Sequence, residues 1–493
     1  MTGSERRSVF SLAMLYSTRM LGLFMVLPVF VIYGQSLGHA NEFLLGLAIG
    51  AYGLSQALFQ IPFGALSDRY GRKKLIFIGL ILFFLGSVLA AVSESIYGVI
   101  AGRFLQGSGA IASVLMALLS DLTSEESRTK SMAIIGMSIG VSFSVALILG
   151  PLVAGVYGLQ GIFWLTAGLA VFGMFWLFFF VPSPIQRSAN HDHQHNATSS
   201  YIQQDAGGSK GAGYKGTGSK GTGYKGTRDR NTRLFKSQIR EVLANKELVR
   251  LDIGIFALHL CLTAVFIAVP ISLQDSLDLP GEEHWLVYLT VMLTSFFAMV
   301  PFIIIGEKKQ KMKSVFLFAI LLLFAASFSF TLTQNNFLYF WLSLFFYFMA
   351  FNLLEASLPS LVSKISPAGC KGTAMGVYST SQFMGAFCGG VLGGWLLSLY
   401  QEAGVYLLVS VVCFLWFLVA RSMEKPSHET GMMLHLSEIS KSDAQGLSDK
   451  LNDLTGVEEV VLIAEDKVAY LKVIKSQLNQ EELDAVMDCF GQS

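Results

Sequence analysis

The sequence predicts an all-α membrane protein: twelve transmembrane helices in two six-helix halves, followed by a small soluble α+β domain. Three observations carry that prediction. Only 14% of the 493 residues are charged and 53% are hydrophobic, whereas an ordinary soluble protein carries about 25% charged residues. Apolar runs long enough to cross a bilayer, about 20 residues each, recur through residues 1–425. After Lys425-Pro426 the composition changes to that of a small soluble domain.

The runs fall at 8–33, 43–68, 73–92, 96–121, 129–156 and 160–182, then at 248–274, 285–306, 313–332, 336–363, 372–400 and 403–421. Their number and length exclude a soluble protein with a large core. The first run is longer than a signal-peptide core and lacks a small-residue cleavage site, so it is expected to remain as a span. The five cysteines, Cys261, Cys370, Cys388, Cys413 and Cys489, show no metal-ligand spacing and are read as small hydrophobes.

Lys and Arg set the orientation. Arg6, Arg7, Arg69, Arg72, Lys73 and Lys74 lie on one side, with Arg128, Lys130, Lys308–Lys313, Lys364, Lys371, Arg421 and Lys425. The short loops of the other side, around 34–41, 93–95, 158–160, 274–284, 333–336 and 401–404, contain no Lys or Arg. Both termini and the central loop are therefore expected to face the cytoplasm.

Four segments follow: an N-terminal half (1–182), a linker (183–247), a C-terminal half (248–425) and a soluble domain (427–493). The linker holds eleven Lys/Arg against five Asp/Glu, including Lys210, Lys215, Lys220 and Lys225 in a Gly-rich repeat. It is too poor in apolar residues to order itself and suits proximity to anionic lipid. His191, Asp192, His193 and His195 are read as polar filler, so no metal site is expected. Arg233–Leu248 shows the pattern of an interfacial helix.

In the soluble domain Met432–Leu436 reads as a strand and Ser442–Leu454 as a helix. Val457–Ala464 and Lys467–Val473 read as a hairpin around Glu465-Asp466, and Asn479–Phe490 as a second helix. The order β-α-β-β-α matches a ferredoxin-like domain lacking its last strand. With five Lys and thirteen Asp/Glu it is strongly acidic, and it lacks the Cys-x-x-Cys pair of a metal chaperone. Opposite charge on the domain and the linker favours mutual attraction.

Function is sought where charge meets lipid. Gly64-Ala-Leu-Ser-Asp68-Arg69-Tyr-Gly71-Arg72-Lys73-Lys74 forms a dense charged turn between the second and third runs. Inside the runs stand Arg19, Arg103 (followed by Gln106-Gly107-Ser-Gly109), Asp252, His259 and Glu355. Each ionisable group there costs a few kcal/mol and marks a candidate site. Glu355 and His259 are the proton-carrier candidates, because a carboxylate or imidazole in a low dielectric exchanges a proton with little change in energy. Glycines punctuate the fifth run (Gly136, Gly140, Gly150-Pro151, Gly155) and the eleventh (Gly376, Gly385, Gly389, Gly390, Gly393, Gly394). They permit close helix approach.

Gly64-x-Leu66-x-Asp68-Arg69-x-Gly71-Arg72-Lys73 resembles the cytoplasmic signature of the major facilitator superfamily. Arg103-x-x-Gln106-Gly107-x-Gly109 is similar to that family's fourth-span motif. Gly150-Pro151-x-x-Ala-Gly155 resembles its antiporter motif in part, with Ala146 and Ala154 where the pattern has glycine. The resemblance covers about 1–425. It implies that Asp68 faces the start of the eleventh helix near Gly372–Met375 while Arg72 pairs with Asp121. This cluster, Gly64, Asp68, Arg69, Gly71, Arg72 and Asp121, would latch the two halves together on the cytoplasmic side. A helix N-terminus stabilises such a carboxylate by about 0.3–1 kcal/mol, and up to ~2 kcal/mol when it is partly buried.

The expected protein is a proton-coupled secondary transporter of the drug:proton antiporter type in a bacterial inner membrane, exporting small amphipathic compounds. Arg19, Arg103, His259 and Glu355 are its coupling candidates, and Gly150, Pro151 and Gly155 its antiporter-motif positions. Its partners are a small-molecule substrate, protons and the lipid bilayer. No nucleic acid, cofactor or enzymatic activity is expected, and the protein is read as a monomer. Candidate cavity residues are Phe24, Met25, Met292, Tyr347, Tyr378 and Gln382. The alternative is a membrane-embedded ligand sensor signalling through the acidic domain.

Overall fold

The computed structural model describes residues 1–123, 125–182, 238–308, 311–333, 335–366, 371–424, 429–436, 441–463, 468–474 and 477–489. The Lys/Gly repeat, His191–His195 and Cys370 lie outside the described residues. The chain forms two compact units. The larger comprises Met1–Pro184, Asn245–Ser363 and Ala374–Glu424; the smaller comprises Ile185–Ala244, Lys364–Thr373 and Lys425–Ser493.

The larger unit is helical. Helix α1 (Gly3–Phe24) starts at a capping box in which Thr2 Oγ1 accepts from the Glu5 amide while the Thr2 amide donates to Glu5 Oε2. The first apolar run predicts a helix to residue 33, but α1 stops at Phe24. Pro28 has no amide to donate and disfavours helix in the residue before it. The chain turns there and adds only the single turn Phe30–Tyr33. Helix α2 (Glu42–Tyr70) is capped by Asn41 and ends at Gly71, whose φ of 95° suits only glycine. Helix α3 (Arg72–Val92) follows at once. The fourth run is broken into α4 (Ile96–Ser108) and α5 (Ala112–Leu122), because Gly109 leaves helical geometry (ψ 58°).

Helix α6 (Glu125–Phe179) spans 55 residues. At 1.5 Å per residue that is about 80 Å, more than twice a hydrocarbon core. It is two helices meeting at Gly158, where φ is 64°. Then come α7 (Lys246–Ile271), α8 (His284–Lys308), α9 (Met312–Thr333), α10 (Phe337–Ile365) and α11 (Lys371–Arg421), the last broken at Gln401 with φ 56°. Among the described residues nine helices are long and apolar enough to cross a membrane.

Two pairs of contacts repeat between residues 1–182 and 246–424. Lys73, at the start of α3, donates to Val181 O beyond the end of α6 (2.6 Å), and Lys313, at the start of α9, donates to Met423 O beyond the end of α11. Trp176 Nε1 on α6 donates to Ser11 O on α1 (3.0 Å), while Trp416 Nε1 on α11 lies against Gly254 on α7. These two stretches, for short the two repeats, share both features.

The repeats meet along a glycine seam. Gly46, Gly50 and Gly53 lie on one face of α2, at i, i+4 and i+7. A Cβ on Gly390 of α11 would stand 2.6 Å from Gly46 O and 2.8 Å from Gly50 N; one on Gly394 would stand 2.6 Å from Glu42 O. Deeper in, Gly53 meets Phe383 O in the same way. The other glycine face of α11 packs on α7, with Gly385 against the Phe256 backbone and Gly389 against that of Leu260. The seam lies toward the end whose loops lack Lys and Arg. Toward the opposite end, a Cβ on Gly136, Gly140 or Gly376 would meet nothing within 4 Å.

The smaller unit contains a three-stranded antiparallel sheet in the order β1-β3-β2: β1 (Glu429–His435), β2 (Val457–Ile463) and β3 (Val468–Ile474). Helices α12 (Lys441–Asn452) and α13 (Gln480–Cys489) complete it. Alternate β3 residues Ala469, Leu471 and Val473 are buried with Leu447 and Leu451 of α12 and Leu483 and Met487 of α13, as period-two strands and period-3.6 helices require. The expected turn at Glu465-Asp466 lies outside the described residues.

Candidate functional site

The charged turn is held by its own backbone and by α5. Gly71 reverses the chain between α2 and α3, which places Arg72 at the first position of α3. Arg72 Nε donates to Asp121 Oδ2 (3.1 Å), and its Nη1 donates to Ser67 Oγ (2.6 Å). Arg69 lies over the ring of Tyr70 at 5.2 Å. Gly64 leaves room for Ser113 of α5, whose hydroxyl donates to Gln60 O. Nothing is described for the Asp68 side chain.

Two guanidinium groups are enclosed between α1, α2, α3, α4 and α5. Arg19, only 3% exposed, donates through Nη2 to Gln56 Oε1 (2.9 Å) and to Gly109 O (2.6 Å). The second bond explains its place. The break between α4 and α5 frees helix carbonyls, and a buried carbonyl needs a donor. Gln56 passes the network to Gln60 (3.0 Å). Arg103 holds Gln106 Oε1 (2.9 Å), Gln106 donates to Ser87 (2.8 Å), and the guanidinium sits 5.0 Å from the Tyr52 ring centroid. Arg19 Nε and Nη1, Arg103 Nε and the Tyr52 hydroxyl have no hydrogen-bond partner among the described residues.

A second cluster joins α7, α10 and α11. His259 Nε2 is 2.7 Å from the Gln382 amide nitrogen and 3.9 Å from Glu355 Oε2. Glu355 Oε2 and the Tyr378 hydroxyl are enclosed without a hydrogen-bond partner, and Glu355 still keeps 36% of its side chain exposed. Asp252 lies two turns before His259 on the same face of α7. One turn before Glu355, Phe351 lies 6.2 Å from the His259 ring and 6.1 Å from Phe143 of α6, and Phe143 meets Phe24 of α1 edge-on at 4.9 Å.

On α6, Gly150 lies against Met25 O and Pro28, and a Cβ on Gly155 would stand 2.9 Å from Glu282 Cγ, with Pro151 inside the helix. Of the cavity candidates, Met25, Met292, Tyr347 and Tyr378 are buried in packing; Phe24 and Gln382 are partly exposed. Cys261 and Cys413 are buried thiols in contact, 3.7 Å apart.

A family model described as Major Facilitator Superfamily matches residues 12–387. The chain belongs to that superfamily. It is 43% identical over 485 residues to the inner membrane transport protein YajR of Escherichia coli (strain K12), covering 98% of each chain. It is 37% identical over 385 residues to an uncharacterised transporter of Buchnera aphidicola subsp. Acyrthosiphon pisum, covering 78% of this chain and 89% of that one. Its fold matches a bacterial homologue of the human lysosomal transporter Spinster, solved inward-facing and unoccupied. That match has a TM-score of 0.63 and 14% identity, and covers 85% of this chain and 98% of that one. These likenesses and the apolar helices make this superfamily member a multi-pass inner-membrane transporter, similar to YajR.

Sequence reasoning picked out the charges but missed what holds them. Gln56, Gln60 and the Gly109 carbonyl carry no signal beyond being polar or bent. The α2 glycines Gly46, Gly50 and Gly53 carry a signal of their own, their i, i+4, i+7 spacing on one helix face.

Proposed function

We propose that this superfamily member is a proton-coupled secondary transporter that exports small amphipathic compounds by alternating access. The observation that carries the reading is the one-ended seam. Backbone meets backbone between α2 and α11 toward one end, while Gly136, Gly140 and Gly376 stand clear toward the other. A carrier needs two repeats that close at either end in turn around a central site.

The nine candidate spans support twelve crossings if α6 and α11 each count as two and α1 is added. The Lys/Arg bias supports a cytoplasmic position for the open end and both termini, which makes this the inward-facing state. Arg72 and Asp121, with Asp68, Arg69, Gly64 and Gly71, form the latch of the opposite state. There Asp68 meets the start of α11, and proton binding releases it. Glu355 and His259 exchange the coupled proton, Arg19 and Arg103 set the field of the N-terminal half, and Gly150, Pro151 and Gly155 shape the antiporter helix. The β1-β3-β2 order, with α12 and α13, supports a ferredoxin-like domain without its last strand. The transporter acts as a monomer and needs no cofactor.

The test is flux of a panel of fluorescent amphipaths in proteoliposomes under an imposed proton gradient. Gradient-driven flux that Glu355→Gln abolishes supports coupling at this site. Binding without flux sinks the carrier reading in favour of a sensor.

A further inference from the structure

We infer that the Glu355 cluster receives a positively charged nitrogen, so that the transported class is organic amines with an aromatic or aliphatic body; this deepens the carrier reading above. Among the described ionisable side chains inside the spans, the most exposed is a carboxylate. Glu355 keeps 36% of its side chain exposed, while Arg19 and Arg103 are enclosed at 3% and 1%. No described cation answers that carboxylate. Every described Lys and Arg from 246 to 424 stands near a helix terminus, Arg250 being paired with Glu247.

The polar groups around Glu355 come from α7 and α11, and none of them is a Lys or Arg. His259, with Nε2 engaged by Gln382 (2.7 Å), and the unpartnered Tyr378 hydroxyl supply uncharged polar atoms. Asp252, lower on α7, is another carboxylate. A carboxylate among neutral polar groups, with no cation of its own, is incomplete until a donor arrives. A metal ion is a poor fit, because no described group of three His, Cys, Asp or Glu side chains lies together. An ammonium group fits: it supplies N–H donors to the carboxylate and forms charge-assisted bonds.

Aromatic rings pack beside the carboxylate. Phe351, one turn from Glu355 and itself buried, packs on the buried Phe143 of the other repeat (6.1 Å), which meets the partly exposed Phe24 (4.9 Å). An aromatic surface beside a carboxylate attracts a cation through the ring faces and accommodates an apolar body.

The experiment uses the full-length protein in lipid nanodiscs, with calorimetric titration of three probes of one shape: 4-phenylbutylamine, 4-phenylbutanol and 4-phenylbutyrate. The amine is expected to bind about tenfold or more tightly than the alcohol or the acid. That preference should vanish in Glu355→Gln and survive in Glu355→Asp. Equal affinity for the alcohol or the acid, unchanged amine binding in Glu355→Gln, or no amine binding at millimolar concentration overturns the inference. If Glu355→Gln does not fold, the three probes on the unmodified protein decide alone. Glu355-dependent, gradient-driven flux with no preference for amines rejects the substrate class and leaves the carrier standing. Selective amine binding without gradient-driven flux supports the site and rejects coupling.

Discussion

Substituting Gly390→Ala should force the seam apart. The added Cβ would stand 2.6 Å from Gly46 O, about 0.8 Å short of the 3.4 Å at which ordinary contact begins, and 2.8 Å from Gly50 N. Both obstacles are backbone atoms, so no side chain can rotate away and the helices themselves must separate. Overpacking of this kind costs about 1–3 kcal/mol. The cost falls on the state in which α2 and α11 touch, and states that part them escape it. The balance should therefore move about 5- to 150-fold toward parting. Spin labels at Gln35→Cys and Ala403→Cys, both exposed and on opposite repeats at this end, read the distance in a background without the native cysteines. The variant should show a longer-distance population that is minor in the parent protein. Gly376→Ala, on the same helix but with nothing within 4 Å, should not produce it. A well-folded Gly390→Ala protein with the parent's distance distribution would refute the idea that this contact holds the end closed.

Other expectations follow from single contacts. Gly71→Ala places a Cβ at φ 95°, ψ 138°, which should cost about 1–3 kcal/mol and lower the thermal unfolding midpoint. Arg19→Leu removes the donor to Gly109 O and Gln56 Oε1, at about 1–3 kcal/mol for each buried acceptor left bare. Loss of thermal stability with the α4–α5 break intact is the expected reading; an unchanged midpoint would show the bonds to be idle. Asp121→Asn weakens a half-exposed pair with Arg72, so the stability loss should stay below about 1 kcal/mol. Labelling of cavity cysteines from the Arg72 side should rise nonetheless, and unchanged labelling would count against the latch.

Much of the helical architecture was legible, because lipid imposes a simple rule: a long apolar run with its charges at the ends. The third run matched α3 to within a residue. Turns were harder. Pro28 ended α1 early despite continuing apolar sequence, and Gln401, a residue with no turn preference, carries the positive φ of α11. The buried charges were visible as anomalies, but their partners were not. Arg19 and Gly109 are 90 residues apart in the chain, and no local pattern predicts that a side chain on one helix will cap a break in another. Gln382 was placed as a cavity residue, whereas its bond to His259 depends on how α7 and α11 are rotated against each other.

Because α2 and α11 meet largely through peptide groups, closing the seam freezes few side chains. Long side chains would each lose up to ~1.5–2 kcal/mol of rotamer freedom in such a contact, and glycine loses none. The attraction that remains is dispersion, which fades within an ångström or so of separation. An interface with little entropic resistance and a short reach behaves as a snap fastener. It is either engaged along its length or released, so the transporter should spend little time half-closed.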